Sequence, residues 1–329
     1  MYKSKLTIKQ TQQAIQDIKF GLTKQLKQNL NLTRVSAPLF VTSESKINDG
    51  LNGDIPVEFT PKQWTEDLEI VHSLAKWKRY ALDKYNFNIG EGIWADMNAI
   101  RKDDIVDYKH SLYVDQWDWE LIISDDQRNF EFLKEVVIKI YDSIRYVEHK
   151  INFKYPELVD KLPKQLIFID SLDLYNKYPN LTAEQREDEI VKEFKAVFIY
   201  KIGHNLPDNL PHSKRAFDYD DWNLNGDLIF YDRVNDKALE ISSMGIRVNA
   251  KSLSEQIKIL NKTNSDLGLY HDQVLNNKLP LTIGGGIGQN RLSMFLLEKA
   301  HIGEVQVSVW EKQYKEELKK QGITLFKKL

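Results

Sequence analysis

The chain has 329 residues, in which 46 Lys and Arg are balanced by 48 Asp and Glu, and it contains no cysteine. The absence of cysteine excludes disulfide frameworks, cysteine zinc sites, iron–sulfur clusters and thiol nucleophiles. A formal charge of −2 gives no overall field that would attract nucleic acid or an anionic membrane. We therefore expect no nucleic-acid or membrane partner, and any site for a polyanion must be local.

The composition, 42% hydrophobic and 29% charged residues, is that of a globular protein with a substantial core. Polar residues interrupt every apolar stretch, so the sequence has no signal-peptide core and no run approaching the ~20 apolar residues of a membrane span. This pattern, together with the lack of cysteine, favours the cytoplasm. Because no repeat or linker divides the sequence, we expect residues 1–329 to form one large domain.

In the first part of the chain, the spacing of apolar residues predicts an amphipathic helix over residues 7–30. Residues 32–41 alternate like a strand but are interrupted by Pro38, which cannot donate a ladder hydrogen bond and therefore favours an edge or an interface. The following pattern predicts a loop over 45–54, short strands over 57–59 and 68–71, and a helix that begins near Ser73.

The second part of the chain places strands beside strands more often than it alternates them with helices, which favours an α+β fold with an antiparallel sheet. The predicted elements are helices over 130–153, 183–193 and 253–260, a last helix with its body at 294–299, strands over 165–170 and 196–200, and paired strands over 227–231 and 238–241.

The strongest local signal is a glycine run at residues 284–288, followed by Arg291 and an apolar helical pattern. Glycines allow a ligand to approach the backbone closely, and the helix after them would offer free N–H groups and an arginine at its first turn, which suits phosphate. The alternative is a flexible or tightly packed turn before an ordinary helix. No Gly-Lys-Ser/Thr sequence follows, so the run is not a P-loop.

A second signal lies in the strand-like segment 113–120. Asp118 and Glu120 are two residues apart, so on a strand they point to the same face as Gln116. Such a polar stripe is unsuited to an apolar core and favours a functional site. The alternative is that the intervening tryptophans form the buried face while the two acids contact solvent.

An acidic cluster occurs at residues 215–222, and an acid, two hydroxyls and an arginine occur at residues 240–247. Glu240, Ser243 and one Asp offer the oxygen ligands that Mg²⁺ prefers, and they suit a nucleotide–magnesium site better than a metal cage built by the protein alone. The seven histidines never fall at i, i+2 or i, i+4 spacing, which disfavours a transition-metal site.

Together these motifs resemble a known set. Arg101 with the strand 113–120 resembles motif 2 of class II aminoacyl-tRNA synthetases, residues 286–292 resemble motif 3, and residues 32–40 resemble motif 1, the dimer-interface element. Within that superfamily, five segments in order along nearly the whole chain resemble the ammonia-dependent aspartate–ammonia ligase family: residues 72–79, 113–120, 218–222, 240–247 and 284–292.

The resemblance implies a class II synthetase-like α+β fold, an antiparallel sheet of about six or more strands flanked by helices. It implies a homodimer whose contact element lies at about residues 1–41, and a single catalytic domain without an anticodon-binding module. It also implies the reaction: aspartate and ATP, with Mg²⁺, form β-aspartyl-AMP and pyrophosphate, and ammonia then displaces AMP to give asparagine.

The resemblance also assigns the nucleotide site. Arg101 would hold the α-phosphate of ATP and Arg291 its terminal phosphates, as bidentate cations that offset the charge developing in the transition state. Ser111 and Glu240 would contribute to ATP and AMP binding. Glu240 and Ser243 would hold Mg²⁺.

For aspartate, the resemblance implies that Arg247 pairs with a substrate carboxylate, and that Asp220 suits the α-ammonium group. The other aspartate-orienting residues would be Ser73, Lys78 and Gln116.

For the ammonia step, Asp49 and Asp118 are the candidates for receiving ammonium and its proton, and the implied catalytic set is completed by Arg101 and Gln116. A loop flanked by Gly50 and Gly53 would close over the adenylate and exclude water, since hydrolysis competes with attack by ammonia.

Two departures from the synthetase pattern leave the adenine contacts open. Arg101 is followed by Lys102, Asp103 and Asp104 instead of Arg-x-Glu, and Gln289-Asn290 precede Arg291 where an aromatic and an acid are common.

Two alternative functions share the same activation chemistry. One is a tRNA-charging aspartyl or asparaginyl synthetase, which is disfavoured because the catalytic motifs leave no room for an anticodon-binding module. The other is a non-catalytic synthetase paralogue, which is disfavoured because Arg101, Glu240, Arg247 and Arg291 occur together. A glutamine-dependent synthetase is disfavoured further, because a chain without cysteine has no thiol glutaminase, so free ammonia would be the nitrogen donor.

Overall fold

The computed structural model describes residues 2–50 and 53–326. Eleven strands lie within these residues. They are β1 (Leu32–Arg34), β2 (Phe40–Thr42), β3 (Glu58–Phe59), β4 (Leu68–Ile70), β5 (Gly92–Ile100), β6 (Tyr113–Ile122), β7 (Ile167–Asp170), β8 (Ala196–Tyr200), β9 (Asp220–Asp232), β10 (Lys237–Arg247) and β11 (Thr282–Gly288).

The same residues contain nine α-helices and several short 3₁₀ turns. The helices are α1 (Ile8–Leu30), α2 (Ala75–Lys84), α3 (Phe130–Lys154), α4 (Ser171–Lys177), α5 (Ala183–Phe194), α6 (Ala250–Ile259), α7 (Leu269–Leu275), α8 (Gln289–Leu296) and α9 (Lys312–Lys320). None of them combines the length and apolar character that a membrane-spanning helix needs.

The strands form an eight-stranded sheet, in the order β1-β5-β6-β11-β10-β9-β8-β7, and a small sheet in the order β2-β4-β3. All pairings in the large sheet are antiparallel except β1 with β5 and β7 with β8, which lie at its two edges. The predicted α+β class with an antiparallel sheet flanked by helices is therefore confirmed.

One face of the large sheet packs against α1 and α3. Helix α1 begins after Thr7, whose hydroxyl accepts the Gln10 N–H while the Gln10 side chain bonds back to the Thr7 N–H. Its apolar side is fully buried and joins Trp117 and Trp119 of β6 in the main core. The tryptophans therefore occupy the core face of β6, which leaves Gln116, Asp118 and Glu120 on the opposite face.

The glycine run lies in β11, a strand in the middle of the sheet, so the alternative of a turn before the helix is wrong. A Cβ at Gly284 would lie 1.9 Å from Glu120 Oε2, and one at Gly286 would lie 2.1 Å from Gln116 Oε1. A side chain at either position would therefore collide with a polar group on the neighbouring strand. The glycines leave room for the side chains of β6.

Two other expectations from the sequence needed correction. The helix predicted around residues 294–299 begins earlier, at Gln289, and is not the last one, because α9 follows at Lys312–Lys320. The strand-like segment 32–41 divides into β1 and β2, which belong to different sheets, and Pro38 lies between them.

Candidate active site

Three connected cavities lie on the polar face of the large sheet. The inner cavity, of about 190 Å³, has its floor on β6, β10 and β11. Arg101, Gln116, Glu240 and Gly286 line both this cavity and a side cavity of about 110 Å³. On its other side the inner cavity adjoins an outer cavity of about 920 Å³, with which it shares Asp49, Lys214, Arg215 and Ala216.

The strand register aligns the floor of the inner cavity. Asp118 pairs with Gly286, Gly286 pairs with Ser243, and Ser243 pairs with Asp227, so one row of residues crosses β6, β11, β10 and β9. Because Gly286 has no side chain, the row is open at its centre between polar groups. This opening is where a ligand can lie against the sheet.

A β-bulge brings Glu240 and Ser243 to the same face. On a regular strand, residues three apart point to opposite faces. Here Glu240 pairs with Ile229 while Ser242 pairs with Leu228, so β10 contains one residue more than β9 at this point. The extra residue interrupts the regular alternation, so both side chains point to the same face and line the inner cavity.

At one end of the cavity lies a cluster of buried charges. Arg247 donates from Nε to Glu120 Oε1 at 2.9 Å and from Nη2 to Glu120 Oε2 at 2.8 Å, and its Nη1 bonds to Asp220. Lys78 Nζ bonds to Asp118 and to the carbonyl of Trp119. The side chains of these charged residues are at most 4% exposed. The alternative in which the acids of β6 contact solvent is therefore wrong.

The cluster is charged because its members compensate one another. Burial opposes the charge of Glu120, but Arg247 and Lys78 outweigh it and hold the pKa of this carboxyl below its ordinary value. Burial likewise opposes the charge of Arg247, yet Glu120 and Asp220 raise its pKa well above the usual range. Removing one member would leave a partner buried without compensation.

Of the five residues predicted to orient aspartate, four line the inner cavity and one does not. Asp220 is fully buried and does not line the inner cavity. It pairs with Arg247 and, at 2.5 Å, with Arg215. This placement favours a role in holding Arg247 over direct binding of an ammonium group. The guanidinium of Arg247 has five N–H donors, so its pairs with the two acids leave capacity for a ligand. The four that line the cavity are Ser73, Lys78, Gln116 and Arg247.

Asp49 lies at the boundary between the inner and outer cavities. Its Oδ2 accepts hydrogen bonds from Ser73 Oγ at 2.9 Å and from Tyr219 Oη at 3.0 Å. Asp118, the other candidate for the ammonia step, is held by Lys78 and by the backbone N–H of Leu74. Both acids line the inner cavity, but only Asp49 also faces the outer one.

Arg101 and Arg291 approach the inner and side cavities from different elements. Arg101 follows β5, donates from Nη2 to the carbonyl of His72 at 3.2 Å, and has a buried Nε without a hydrogen-bond partner among the described residues. Arg291, in the first turn of α8, lies 3.7 Å from Glu240 Oε2 and lines the side cavity. Arg101 lines both cavities and Arg291 lines the side cavity, and two such cations, one with an unused donor, fit a polyphosphate.

Glu240, Ser243 and Asp227 fit a magnesium ion shared with such a ligand. Ser243 Oγ and Asp227 Oδ1 are buried and make no hydrogen bond within residues 2–50 and 53–326, although Asp227 Oδ1 lies 3.9 Å from Arg215 Nη1. Both oxygen atoms have the chemistry of a magnesium ligand. Desolvation opposes the charge of Glu240, but Arg291 and Arg215 hold its pKa below the ordinary value. In the described part of the chain, no three His, Cys, Asp or Glu side chains could hold a metal by themselves, which leaves substrate phosphates to complete the coordination.

The side cavity is lined by residues from β6, α8 and the segment after it. Ser111 Oγ donates to the carbonyl of Tyr113 at 2.7 Å and contacts Gln306. Asp104 lines this cavity and Asp103 does not, so Asp104 is the nearer of the two acids after Arg101. Asn290 also lines it.

Several residues of the site were missed by reasoning from the sequence. The pairing of the predicted strands 227–231 and 238–241 could have located Asp227, since it brings this residue beside Ser243. No sequence signal pointed to Gln306, which reaches the side cavity from a distant segment. Tyr219 lies within the resembling segment 218–222 but was given no role, and it lines the inner cavity. The loop predicted to close over the ligand includes residues 51 and 52, which lie outside the described residues.

One acid that lines the side cavity, Asp115, has a raised pKa. Asp115 is 7% exposed, accepts a hydrogen bond from Asn290 Nδ2, and lies 3.7 Å from Lys19 Nζ of α1. Burial raises its pKa to about 6, although Lys19 partly opposes the change. An acid whose folded-state pKa is raised stabilises the protein least at pH values above that pKa.

We therefore expect Asp115→Asn to increase the free energy of unfolding by about 1–3 kcal/mol at pH 7.5, with the difference disappearing as the pH falls below about 4. Urea unfolding of both proteins across this pH range measures it. A variant that is less stable than the parent at pH 7.5 would show that the Lys19 contact outweighs the cost of burial.

The family model for aspartate-ammonia ligase matches residues 9–322 of the chain. An aspartate–ammonia ligase from Fusobacterium nucleatum is 52% identical over 325 residues, which are 98% of this chain and 99% of the relative. An aspartate–ammonia ligase from Clostridium tetani is 50% identical over 326 residues, with 98% and 96% covered.

Solved structures of asparaginyl-tRNA synthetases share the fold. The enzyme from Pyrococcus horikoshii, complexed with asparaginyl-adenylate, has a TM-score of 0.69 and 14% identity, covering 91% of this chain and 68% of that one. The Entamoeba histolytica enzyme has a TM-score of 0.66 and 16% identity, with 91% and 67% covered. These structures confirm the class II synthetase-like fold. With the family match over most of its length, the chain belongs to the aspartate–ammonia ligase family.

Proposed function

We propose that this protein converts aspartate, ATP and ammonia to asparagine, AMP and pyrophosphate through β-aspartyl-AMP. The observation that carries the proposal is one continuous site: Arg101, Glu240 and Gln116 stand at the junction of the inner and side cavities, and Asp49 stands at the opening to the outer one. Along the connected cavities, cations for phosphates are therefore followed by polar groups for an amino acid and then by an acid at the entrance.

Aspartate would bind in the inner cavity. Arg247 would pair with a carboxylate of the substrate, and Asp220 would hold this guanidinium in place from behind. Lys78 of α2, Gln116 of β6 and Ser73, which precedes α2, would orient the rest of the molecule. Because Gly286 lacks a side chain, the β-carboxylate can approach the sheet beside Gln116 and come within reach of the α-phosphate of ATP.

ATP would extend from the side cavity, with Ser111 beside the nucleoside, into the inner one. Arg101 would contact the α-phosphate with its unused donor, and Arg291 would contact the terminal phosphates. Mg²⁺, held by Glu240, Ser243 and Asp227, would neutralise phosphate charge when bound. The two arginines would also favour the transition state, in which negative charge grows on the phosphate oxygens.

Ammonium would arrive through the outer cavity and meet Asp49. The carboxylate is fixed by the hydroxyls of Ser73 and Tyr219, so it can accept a proton from ammonium at a defined position. Asp118 already accepts a hydrogen bond from Lys78 Nζ, so Asp118 is the weaker candidate for this step. Ammonia released beside the adenylate would then displace AMP.

We also propose that the enzyme is a cytoplasmic homodimer. Large apolar side chains at the N-terminal part of the chain are exposed, with Phe20 at 69%, Leu39 at 50% and Phe40 at 44%. These residues lie within the contact element at about residues 1–41 that the resemblance implies, and a second copy would cover them. Sedimentation equilibrium should give twice the chain mass of 38.5 kDa, and a monomer at micromolar concentration would contradict the proposal.

Arg101→Ala and Arg291→Ala should each lower aspartate-dependent pyrophosphate release by about 100-fold or more, because each removes a cation that stabilises the transferring phosphoryl group. Arg101→Lys should recover only part of the activity, since lysine cannot bind bidentately. Arg145→Ala, on α3 and outside all three cavities, is the control. Release at near the parent rate by either alanine variant would overturn the phosphate assignment.

Asp49→Ala should have a different defect. We expect pyrophosphate release to continue while asparagine formation falls by about 100-fold, because the acid acts only after the adenylate exists. Both products can be measured in one reaction. Asp54→Ala, an exposed acid in the same segment, is the control. Equal loss of both products would assign Asp49 to substrate binding instead.

A further inference from the structure

A second cluster of buried charges lies outside the inner cavity, in the wall of the outer one. It consists of Lys76, Asp218 and His271, whose side chains are 5%, 9% and 1% exposed. Lys76 Nζ and His271 Nε2 each lie 3.0 Å from Asp218 Oδ2. None of the three lines the inner or side cavity, so the proposed reaction gives them no contact with substrate.

The hydrogen bonds of the cluster define its charges. The N–H of Gly268 donates to His271 Nδ1 at 2.8 Å, so Nε2 carries the proton and donates to Asp218. Burial opposes the charge of Asp218, but Lys76 and His271 hold its pKa well below the ordinary value. The Lys76–Asp218 pair is therefore a charged pair in which each partner compensates the other.

The same cluster holds the segment that leads to Asp49. Lys76 Nζ also donates to the carbonyl of Lys46 at 2.9 Å. The side chain of Lys46 in turn donates to the carbonyls of Leu267 at 3.2 Å and of Ser265. The backbone three residues before Asp49 is thereby tied both to α2 and to the segment that precedes α7.

The groups that bind the Asp49 carboxylate are neighbours of the cluster in sequence. Tyr219 directly follows Asp218, and Ser73 lies three residues before Lys76. The Lys76–Asp218 pair therefore joins the two segments that hold the carboxylate from either side. If the pair is broken, both hydroxyls and the backbone of the Asp49 segment lose a common anchor.

We propose that Lys76 and Asp218 are positioning residues for the ammonia step, which hold Asp49 where it can deprotonate ammonium. The inference rests on the proposed function. In that step the nitrogen lone pair forms a bond to the β-carbonyl carbon, the bond from this carbon to the AMP oxygen breaks, and nitrogen loses a proton. Water can break the same bond and regenerate aspartate, so poor positioning of Asp49 wastes the adenylate.

The test measures asparagine and pyrophosphate in the same reaction with ATP, Mg²⁺, aspartate and saturating ammonium. For Lys76→Met we expect pyrophosphate release within about threefold of the parent, and a fall in the ratio of asparagine to pyrophosphate from about one to about one half or lower. Lys76→Arg should restore the ratio, because it keeps the charge. Lys84→Met, an exposed lysine on the same helix, should leave it unchanged.

A double variant separates positioning from general damage. In the Asp49→Ala background, Lys76→Met should cause no further fall in the ratio, since the two residues act in one unit. If Lys76→Met does not fold, Asp218→Asn, which removes the charge with little change in shape, takes its place. A ratio that stays at one, or a parallel loss of both products, would overturn the inference. Failure of the parent protein to make asparagine would instead overturn the proposed function.

Discussion

The site depends on a strand that has no side chains where its neighbours need space. β11 lies between β6 and β10. Because its glycines have no side chains, the carboxylate of Glu120 and the amide of Gln116 can lie directly above its backbone. The space allows Arg247 of β10 to reach Glu120 of β6 across the intervening strand. Without it, the buried charges could not compensate one another, and each would cost several kcal/mol to bury alone.

The same arrangement explains how one sheet face can bind substrates of opposite character. The ion cluster at one end fixes a guanidinium for a carboxylate, while the bulge in β10 presents oxygen ligands beside two arginines at the other end. Both halves rest on strands held by a continuous hydrogen-bond ladder and by the apolar core beneath them. The groups on the sheet are therefore placed by rigid strands. The segment that carries Asp49 lies outside the sheet, and in our proposal Lys76 and Asp218 hold it in position.

Reasoning from the sequence predicted the elements that have strong periodicity. The helix over residues 7–30, the paired strands 227–231 and 238–241, and the common face of Gln116, Asp118 and Glu120 are all confirmed. Each of these features depends on the spacing of apolar and polar residues within one segment, which can be read from a single sequence. The roles of the predicted site residues stay predictions, although most of these residues line the connected cavities.

The features that the sequence did not reveal have one physical cause, which is that tertiary partners decide what a local pattern cannot. Glycines favour loops by propensity, but at 284–288 the side chains of β6 require their small size in a strand. Asp220 has the charge suited to an ammonium group, but its pairs with Arg215 and Arg247 come from residues that sequence spacing does not bring together. Gln306 reaches the side cavity from 195 residues beyond Ser111 and carries no local signal.

The most direct test of the account is the stoichiometry of the unmodified protein. With ATP, Mg²⁺ and aspartate, and without tRNA, asparagine and AMP should form in equal amounts only when ammonium is added. Pyrophosphate release without asparagine in the presence of ammonium would contradict the account and point to another acceptor, such as tRNA. The absence of any turnover would point to a binding protein built on the same fold.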